Sequence, residues 1–331
     1  MGLFESILKI NTNLSKRDKL RIVFMGTPDF SVATLSTLVE NDYNVVGVIT
    51  APDRPAGRGR KLQESAVKKY AVEKSLTILQ PTNLKNEEFL AELEALKANL
   101  QIVVAFRMLP KAVWQMPEYG TFNLHASLLP SYRGAAPINW AIINGETETG
   151  VTTFFIDDKI DTGEIILQKK VKIAEEDTAG SLHDILMEVG ADLVLTTVKQ
   201  IGEGVVKTKK QNDTKELKSA YKIYKDTCEV NWDKPINDIY NHIRGLSPYP
   251  ASWTTLVNGD DSIFLKIYQA SIEKEKHNLI IGTVLFDKTE LKVAVLGGYI
   301  KLLEIQLPNK RKMKTADVLN GLKLLKSAHV S

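Results

Sequence analysis

The sequence predicts an α/β chain: a doubly wound, mostly parallel sheet followed by a second, smaller β-barrel. Three observations carry that expectation. The 331 residues exceed what one ordinary domain of roughly 100–200 residues holds. Through the first two thirds, short unbroken apolar runs alternate with segments whose apolar residues recur at helical spacing, the pattern of βαβ units. From about Cys228 the pattern changes to short strand-like runs separated by Gly, Asn and Asp turns, which suits a small antiparallel barrel.

The elements follow in order. Leu20 to Phe24 is apolar apart from one Arg and ends at Gly26, as a buried parallel strand entering a turn would. Val32, Leu35, Leu38 and Val39 mark a helix, and Val45 to Ile49 a second strand. Ala51 to Leu62, rich in Pro, Gly and Arg, reads as an exposed loop. Helices are expected at about 65–74 and 86–97, a strand at Gln101 to Phe106, and a strand-like entry at Thr121-Phe122. Gly150 to Phe155 and Ile165 to Ile173 read as strands. Asp177-Thr178 is an N-cap for a helix reaching about Ile201, with Leu182, Ile185, Leu186 and Val189 on its apolar face. Gly202 to Lys218 is polar and Lys-rich, as a linker is. In the last part a helix at Ile236 to Ile243 precedes strands at Thr254–Val257, Ile263–Ile267, Gly282–Val284, Lys292–Val295 and Tyr299–Ile305. The expected division is therefore a disordered extension (1–19), a Rossmann-like domain (20–206), a linker (207–226) and an OB-like barrel (227–331).

Composition narrows the class. At 44% hydrophobic and 25% charged residues, the chain resembles ordinary globular proteins. Cys228 is alone, so no internal disulfide can form; a reducing cytoplasm fits, and the thiol reads as a small residue at a core edge. No stretch approaches the roughly 18 apolar residues of a membrane span. Glu5, Lys9, Lys16, Arg17, Asp18 and Lys19 break any secretory leader. Met1-Gly2 with Ser6 meets the loose myristoylation pattern, though a plain extension accounts for it better. From Lys215 onward the net charge is +5, against −2 before it. A basic end on a slightly acidic body suits a polyanionic partner, and a solvated lysine surface nearly as well.

Three places could carry chemistry. Gly26-Thr27-Pro28-Asp29-Phe30 follows the first strand, but it is not GxGxxG and Pro28 lacks a backbone donor. It reads as a tight turn, which disfavours a dinucleotide-dependent oxidoreductase. Asn123 and His125, two apart after a strand, would project to one side. An amide donor beside an imidazole could hold an oxyanion and move a proton. A lone histidine beside an apolar run is more often a satisfied core residue, so the residues alone leave both readings open. Asp157, Asp158 and Asp161 lie in a polar turn before Thr162-Gly163, which solvation alone would explain. No further His or Cys at ligand spacing makes them a metal site.

The stretch Asn123-Leu124-His125-Ala126-Ser127-Leu128-Leu129-Pro130-Ser131-Tyr132-Arg133-Gly134, continued by Ala135-Ala136-Pro137-Ile138, resembles the signature of the folate-dependent formyltransferases. Ile160-Asp161-Thr162-Gly163 is similar to that family's second motif. Met25 to Phe30, the loop Ala51 to Leu62, and Ile243 to Trp253 resemble the branch that formylates methionyl-tRNA, and the likeness runs from about Leu20 to Leu325. A sugar-nucleotide amine formyltransferase is the alternative; it would need neither the basic loop nor a basic barrel.

The resemblance implies that the α-amine of aminoacylated initiator tRNA attacks the formyl carbon of 10-formyltetrahydrofolate, for translation initiation and without a metal. Asn123 and protonated His125 would donate to the oxyanion. Asp161 would keep His125 oriented and charged and help remove the amine proton. Ser127, Leu128, Leu129 and Pro130 would form the folate loop, largely through backbone groups. Arg58, Arg60 and Lys61 would contact tRNA phosphates, which position RNA without reading its sequence. A cytoplasmic monomer is expected. One departure stands out: Phe106-Arg107-Met108-Leu109-Pro110 is one residue shorter than the Tyr-Gly-containing stretch of many relatives, where it lines the folate pocket.

Overall fold

The computed structural model describes residues 19–56, 61–212 and 217–331. Most of the predicted extension therefore lies outside the described residues. The chain forms two compact units. One runs to Arg133 and takes in Gly150–Val171 and Asp184–Lys218; the other is Gly134–Thr149, Lys172–His183 and Ser219–Ser331.

The strands of the first two thirds are β1 (Arg21–Gly26), β2 (Asn44–Ile49), β3 (Arg54–Ala56), β4 (Lys61–Gln63), β5 (Ile78–Leu79), β6 (Leu100–Val104), β7 (Thr121–His125), β8 (Arg133–Gly134), β9 (Glu148–Phe155) and β10 (Ile165–Lys172). The helices are α1 (Asp29–Glu40), α2 (Ala66–Glu73), α3 (Glu87–Ala95), α4 (Lys111–Trp114), α5 (Pro137–Ile143) and α6 (Ala179–Glu203). The main sheet has the order β10-β9-β7-β6-β1-β2-β5. β5, β2, β1, β6 and β7 pair in parallel, and β9 then runs antiparallel to β7.

The unbroken apolar runs have a direct cause. Val23 and Met25 of β1 pack with Ile49, Phe89, Leu93 and Val103, while Ile22 and Phe24, which alternate with them, are equally buried. A strand covered on both faces cannot alternate with polar residues. Side-chain caps open α2 and α3: Ser65 Oγ accepts from Lys68 N at 3.0 Å, and Asn86 Oδ1 from Phe89 N at 3.0 Å. Thr178 Oγ1 accepts from Ser181 N at 3.1 Å at the start of α6. The strand expected to reach Phe106 stops at Val104, because Ala105 takes a left-handed φ of 46°. The loop expected at 51–62 is partly ordered as the β3–β4 pair.

The other unit adds β11 (Ser219–Ala220), α7 (Ile236–Leu246), β12 (Ser252–Asn258), β13 (Asp261–Glu273), β14 (Val284–Phe286), β15 (Leu291–Val295), β16 (Gly298–Gln306), β17 (Met313–Lys314), α8 (Thr315–Leu319) and β18 (His329–Val330). Its sheet runs β14-β15-β16-β13-β12-β18, with β17 on β16. Val284 N donates to Ala328 O at 3.1 Å and Val330 N to Gly282 O at 2.9 Å, which nearly closes the sheet into a barrel. Ile236, Ile239 and Ile243 of α7, three and four apart, pack into its core beside Trp232, Leu256, Leu265 and Ile300. On its surface Glu273 lies 2.5 Å from Lys292 Nζ and 2.6 Å from Lys301 Nζ, and these hydrogen bonds pull its carboxyl down to about 2.

His242 on α7 sets one pH dependence. Its Nε2 is fully enclosed without a hydrogen-bond partner among the described residues. Burial pushes its pKa below the usual 6.5, against the pull of the Cys228 and Glu229 backbone. The unfolded chain therefore binds a proton that the folded unit refuses. The stability this neutral imidazole allows is present above about pH 6.5 and is lost as pH falls below it. Thermal unfolding from pH 7.5 to 5.5 should show a decline that His242→Gln flattens; parallel pH curves would count against it.

Candidate active site

β7 brings the two motif side chains to its carboxyl end. Phe122 and Leu124 are buried, and Leu124 lies against α6, where a Cβ on Gly190 would meet its Cδ2 at 2.8 Å. The two-residue period sends Asn123 and His125 to the opposite face. The Asn123 side chain is half-buried and has no hydrogen-bond partner among the described residues.

His125 is held at one ring nitrogen and faces a carboxylate with the other. Nε2 donates to the Tyr132 carbonyl at 2.8 Å; a carbonyl can only accept, so this nitrogen carries a proton. Nδ1 then faces Asp161, 3.9 Å from Oδ2. That distance is an ion-pair approach rather than a hydrogen bond. The side chains are 8% and 14% exposed, sheltered yet open on one side. Tyr132 is itself left-handed, φ 61°, and its N–H donates to Lys218 O at 2.6 Å.

The turn that presents Asp161 is tightly constrained. Asp161 has φ 55°, a conformation that costs roughly 1–2 kcal/mol outside glycine. Asp157 Oδ1 accepts from Thr162 Oγ1 at 2.7 Å and from Lys159 N at 3.0 Å. Asp157 is thus a turn former, and Asp158 is exposed. Among the described residues no group of three or more His, Cys, Asp or Glu could hold a metal ion. Gly163 sits so close to β9 that a Cβ would lie 1.6 Å from Phe155 O.

The loop after His125 is pinned from below. Thr152 Oγ1 donates to Ser127 O at 2.6 Å and accepts from Leu129 N at 3.2 Å. Gln168 Nε2 donates to Leu129 O at 2.9 Å. Ser127 and Leu129 are buried, Leu129 against Phe154 and Ile165. Leu128 and Pro130, following the cis Leu129–Pro130 bond, keep partial exposure. Of the four loop residues singled out from the sequence, these two alone have side-chain surface to offer.

Arg58 and Arg60 lie outside the described residues, and Lys61 opens β4. The base of that hairpin is anchored. Lys68 Nζ pairs with Asp53 and, at 3.0 Å, with Glu64, while Gln80 Nε2 donates to Ala51 O and Asp53 Oδ1 at 2.8 Å each. Arg107 NH1 donates to Thr82 O at 3.0 Å; burial, then repulsion from Arg54, pushes its guanidinium pKa down. Phe106 packs on the core beside Leu109 and Val113.

Sequence reasoning missed Thr152, Gln168 and Gln211. The last lies in the stretch read as linker. Its Nε2 donates to Asp161 O at 2.9 Å and Gly163 O at 2.8 Å. All three act on backbone groups, which leave no residue-type signature.

Comparison with known proteins follows the same two parts of the chain. The family described as Formyl transferase matches residues 20–198, and its C-terminal domain matches 222–323. A methionyl-tRNA formyltransferase of Flavobacterium johnsoniae is 57% identical over 313 residues, covering 95% of this chain and 99% of that protein. One of Bacteroides thetaiotaomicron is 54% identical over 314 residues, covering 93% and 98%. Among solved structures, the sugar 3N-formyl transferase WlaRD superposes with a TM-score of 0.63 at 21% identity, covering 88% of this chain and 99% of that one. HypX from Aquifex aeolicus superposes with 0.62 at 17% identity, covering 91% and 47%. These two superpositions concern the fold alone.

Proposed function

The chain belongs to the formyl transferase family, and on that premise we propose that it moves the formyl group of 10-formyltetrahydrofolate onto the α-amine of methionyl-tRNA, the initiator of translation. One observation carries the reading: methionyl-tRNA formyltransferases match it at 54–58% identity over more than nine tenths of its length, barrel included.

The amine nitrogen attacks the formyl carbon, the new C–N bond forms, and the carbonyl oxygen takes the electron pair. When the oxyanion collapses, the carbon–N10 bond breaks, N10 takes a proton, and tetrahydrofolate leaves. Asn123 and His125 donate to the oxyanion. One such donor contributes roughly 3–4 kcal/mol, about a hundred- to a thousandfold in rate. Asp161 orients the imidazole and helps take the proton of the attacking amine. What supports these roles is the 3.9 Å approach of His125 Nδ1 to Asp161 and the unpartnered amide of Asn123 on the same strand face. Ser127 to Pro130 form the folate loop, with Leu128 and Pro130 as its apolar surface.

We assign formyl transfer to residues 20–206 and tRNA binding to the barrel at 227–331, joined by 207–226. Arg58, Arg60 and Lys61 contact tRNA phosphates. The enzyme acts as a cytoplasmic monomer; among the described residues no helix is long and apolar enough to cross a membrane. Arg60→Ala with Lys61→Ala should raise KM for methionyl-tRNA about five- to thirtyfold, at roughly 0.5–1 kcal/mol per exposed contact. kcat should stay nearly constant, and an unchanged KM would remove the loop from RNA binding.

The decisive test supplies 10-formyltetrahydrofolate with either methionyl-tRNA or an aminosugar nucleotide. Formylation of the tRNA supports the proposal; formylation of the sugar alone overturns it.

A further inference from the structure

Asp161 keeps a left-handed backbone in an otherwise short polar turn. Such a conformation persists only where its surroundings over-determine it. Gln211 supplies that constraint from fifty residues away. Its Nε2 donates to Asp161 O at 2.9 Å and to Gly163 O at 2.8 Å, one carbonyl on each side of Thr162. Its Oε1 accepts from Arg133 Nε at 3.1 Å and Arg133 NH2 at 2.7 Å. Both amide hydrogens and both lone pairs are thus used. The amide has only one possible orientation, because the carbonyls can only accept and the guanidinium can only donate. Glutamate could not donate to the carbonyls, and lysine could not accept from Arg133.

The segment around Gln211 is fastened nearby. Lys209 N donates to Ile165 O at 2.9 Å, and Lys209 O accepts from Ile165 N at 2.8 Å. Beyond it, Lys218 O accepts from Tyr132 N at 2.6 Å, and Tyr132 O receives His125 Nε2. The same stretch of chain therefore braces the Asp161 turn at one point and the carbonyl that aims His125 at another.

We propose that Gln211 is a positioning residue for formyl transfer, setting the place of the Asp161 carboxylate relative to His125 without touching either substrate. This rests on the roles given above to Asp161 and His125. A displacement of about 1 Å in a catalytic group can cost about a hundredfold in rate. Gln211→Ala should therefore lower kcat about ten- to a hundredfold and leave KM for folate and for methionyl-tRNA within about twofold. Gln211→Glu, nearly the same size, keeps the acceptor for Arg133 but turns a carboxylate on two carbonyls, and should be at least as slow.

The test is a double-mutant cycle on the full chain with Asp161→Ala, with melting temperatures recorded for every variant. If Gln211 acts through Asp161, adding Gln211→Ala to Asp161→Ala should change kcat by less than about twofold. A slow Asp161→Ala beside a Gln211→Ala or Gln211→Glu enzyme of normal kcat overturns this inference alone. A full further loss in the double variant also overturns it, by placing the effect of Gln211 elsewhere. A normal Asp161→Ala enzyme overturns the assignment of Asp161 and this inference with it.

Discussion

Replacing His125 with alanine should lower kcat by at least about a hundredfold while folate affinity stays nearly intact. The loss corresponds to at least about 2.7 kcal/mol of transition-state stabilisation. The imidazole is aimed from both sides: Tyr132 O fixes Nε2 at 2.8 Å, which leaves Nδ1 on the side of Asp161. Folate affinity should survive because the loop at 127–130 is held independently, by Thr152 and Gln168. The alanine variant also leaves the Tyr132 carbonyl without its ring partner, so its melting temperature must be measured alongside. His125→Gln, which can still donate to that carbonyl, separates the two effects: it should recover stability and not rate. A His125→Ala enzyme with near-normal kcat would return His125 to the role of a satisfied core residue.

Gly163→Ala should be nearly as damaging, although Gly163 touches no reacting atom. A methyl group there would lie 1.6 Å from Phe155 O and 2.8 Å from Phe155 C. These are backbone atoms of β9, which is paired with β7, so they cannot swing aside as a side-chain tip would. The turn must move instead, carrying Asp161 away from His125. Overpacking of this kind costs roughly 1–3 kcal/mol in stability, and the displaced carboxylate should cost about a hundredfold in kcat. Steady-state kinetics with a thermal melt decide the matter. A Gly163→Ala enzyme with unchanged kcat would mean that the position of Asp161 does not limit the reaction.

Parts of this architecture are legible in sequence, and the reasons differ by element. β1, β2 and β6 announce themselves because burial on both faces demands unbroken apolar runs. α7 is legible from Ile236, Ile239 and Ile243 at helical spacing. The reversal of β9 is not legible, since alternation and apolar content are the same in either direction. The early end of β6 depends on one left-handed residue, Ala105, whose type does not advertise it. In the site, Asn123 and His125 share a face by the period of a strand, a local rule. Their association with Asp161 spans 36 positions from His125 and 38 from Asn123, and it enters only through resemblance. Gln211 escaped altogether, because a polar residue among lysines looks like linker, and its partners are backbone carbonyls and an arginine at a distance in sequence.

Glu273 changes what the basic tail of the chain is worth as an electrostatic attractor. With Lys292 and Lys301 on either side holding its carboxyl near 2, it remains an anion at any pH at which RNA and protein coexist. Lys312 is likewise matched with Glu304 at 2.7 Å. A lysine already faced by a carboxylate offers less charge to a phosphate, and the ions that binding frees are the cations condensed on the nucleic acid. Bringing a nucleic acid to such lysines releases fewer condensed ions, and that release is the entropy behind polyanion binding. The effective valence of the barrel is therefore smaller than a tally of its lysines, and it belongs to those that stand without an acid beside them.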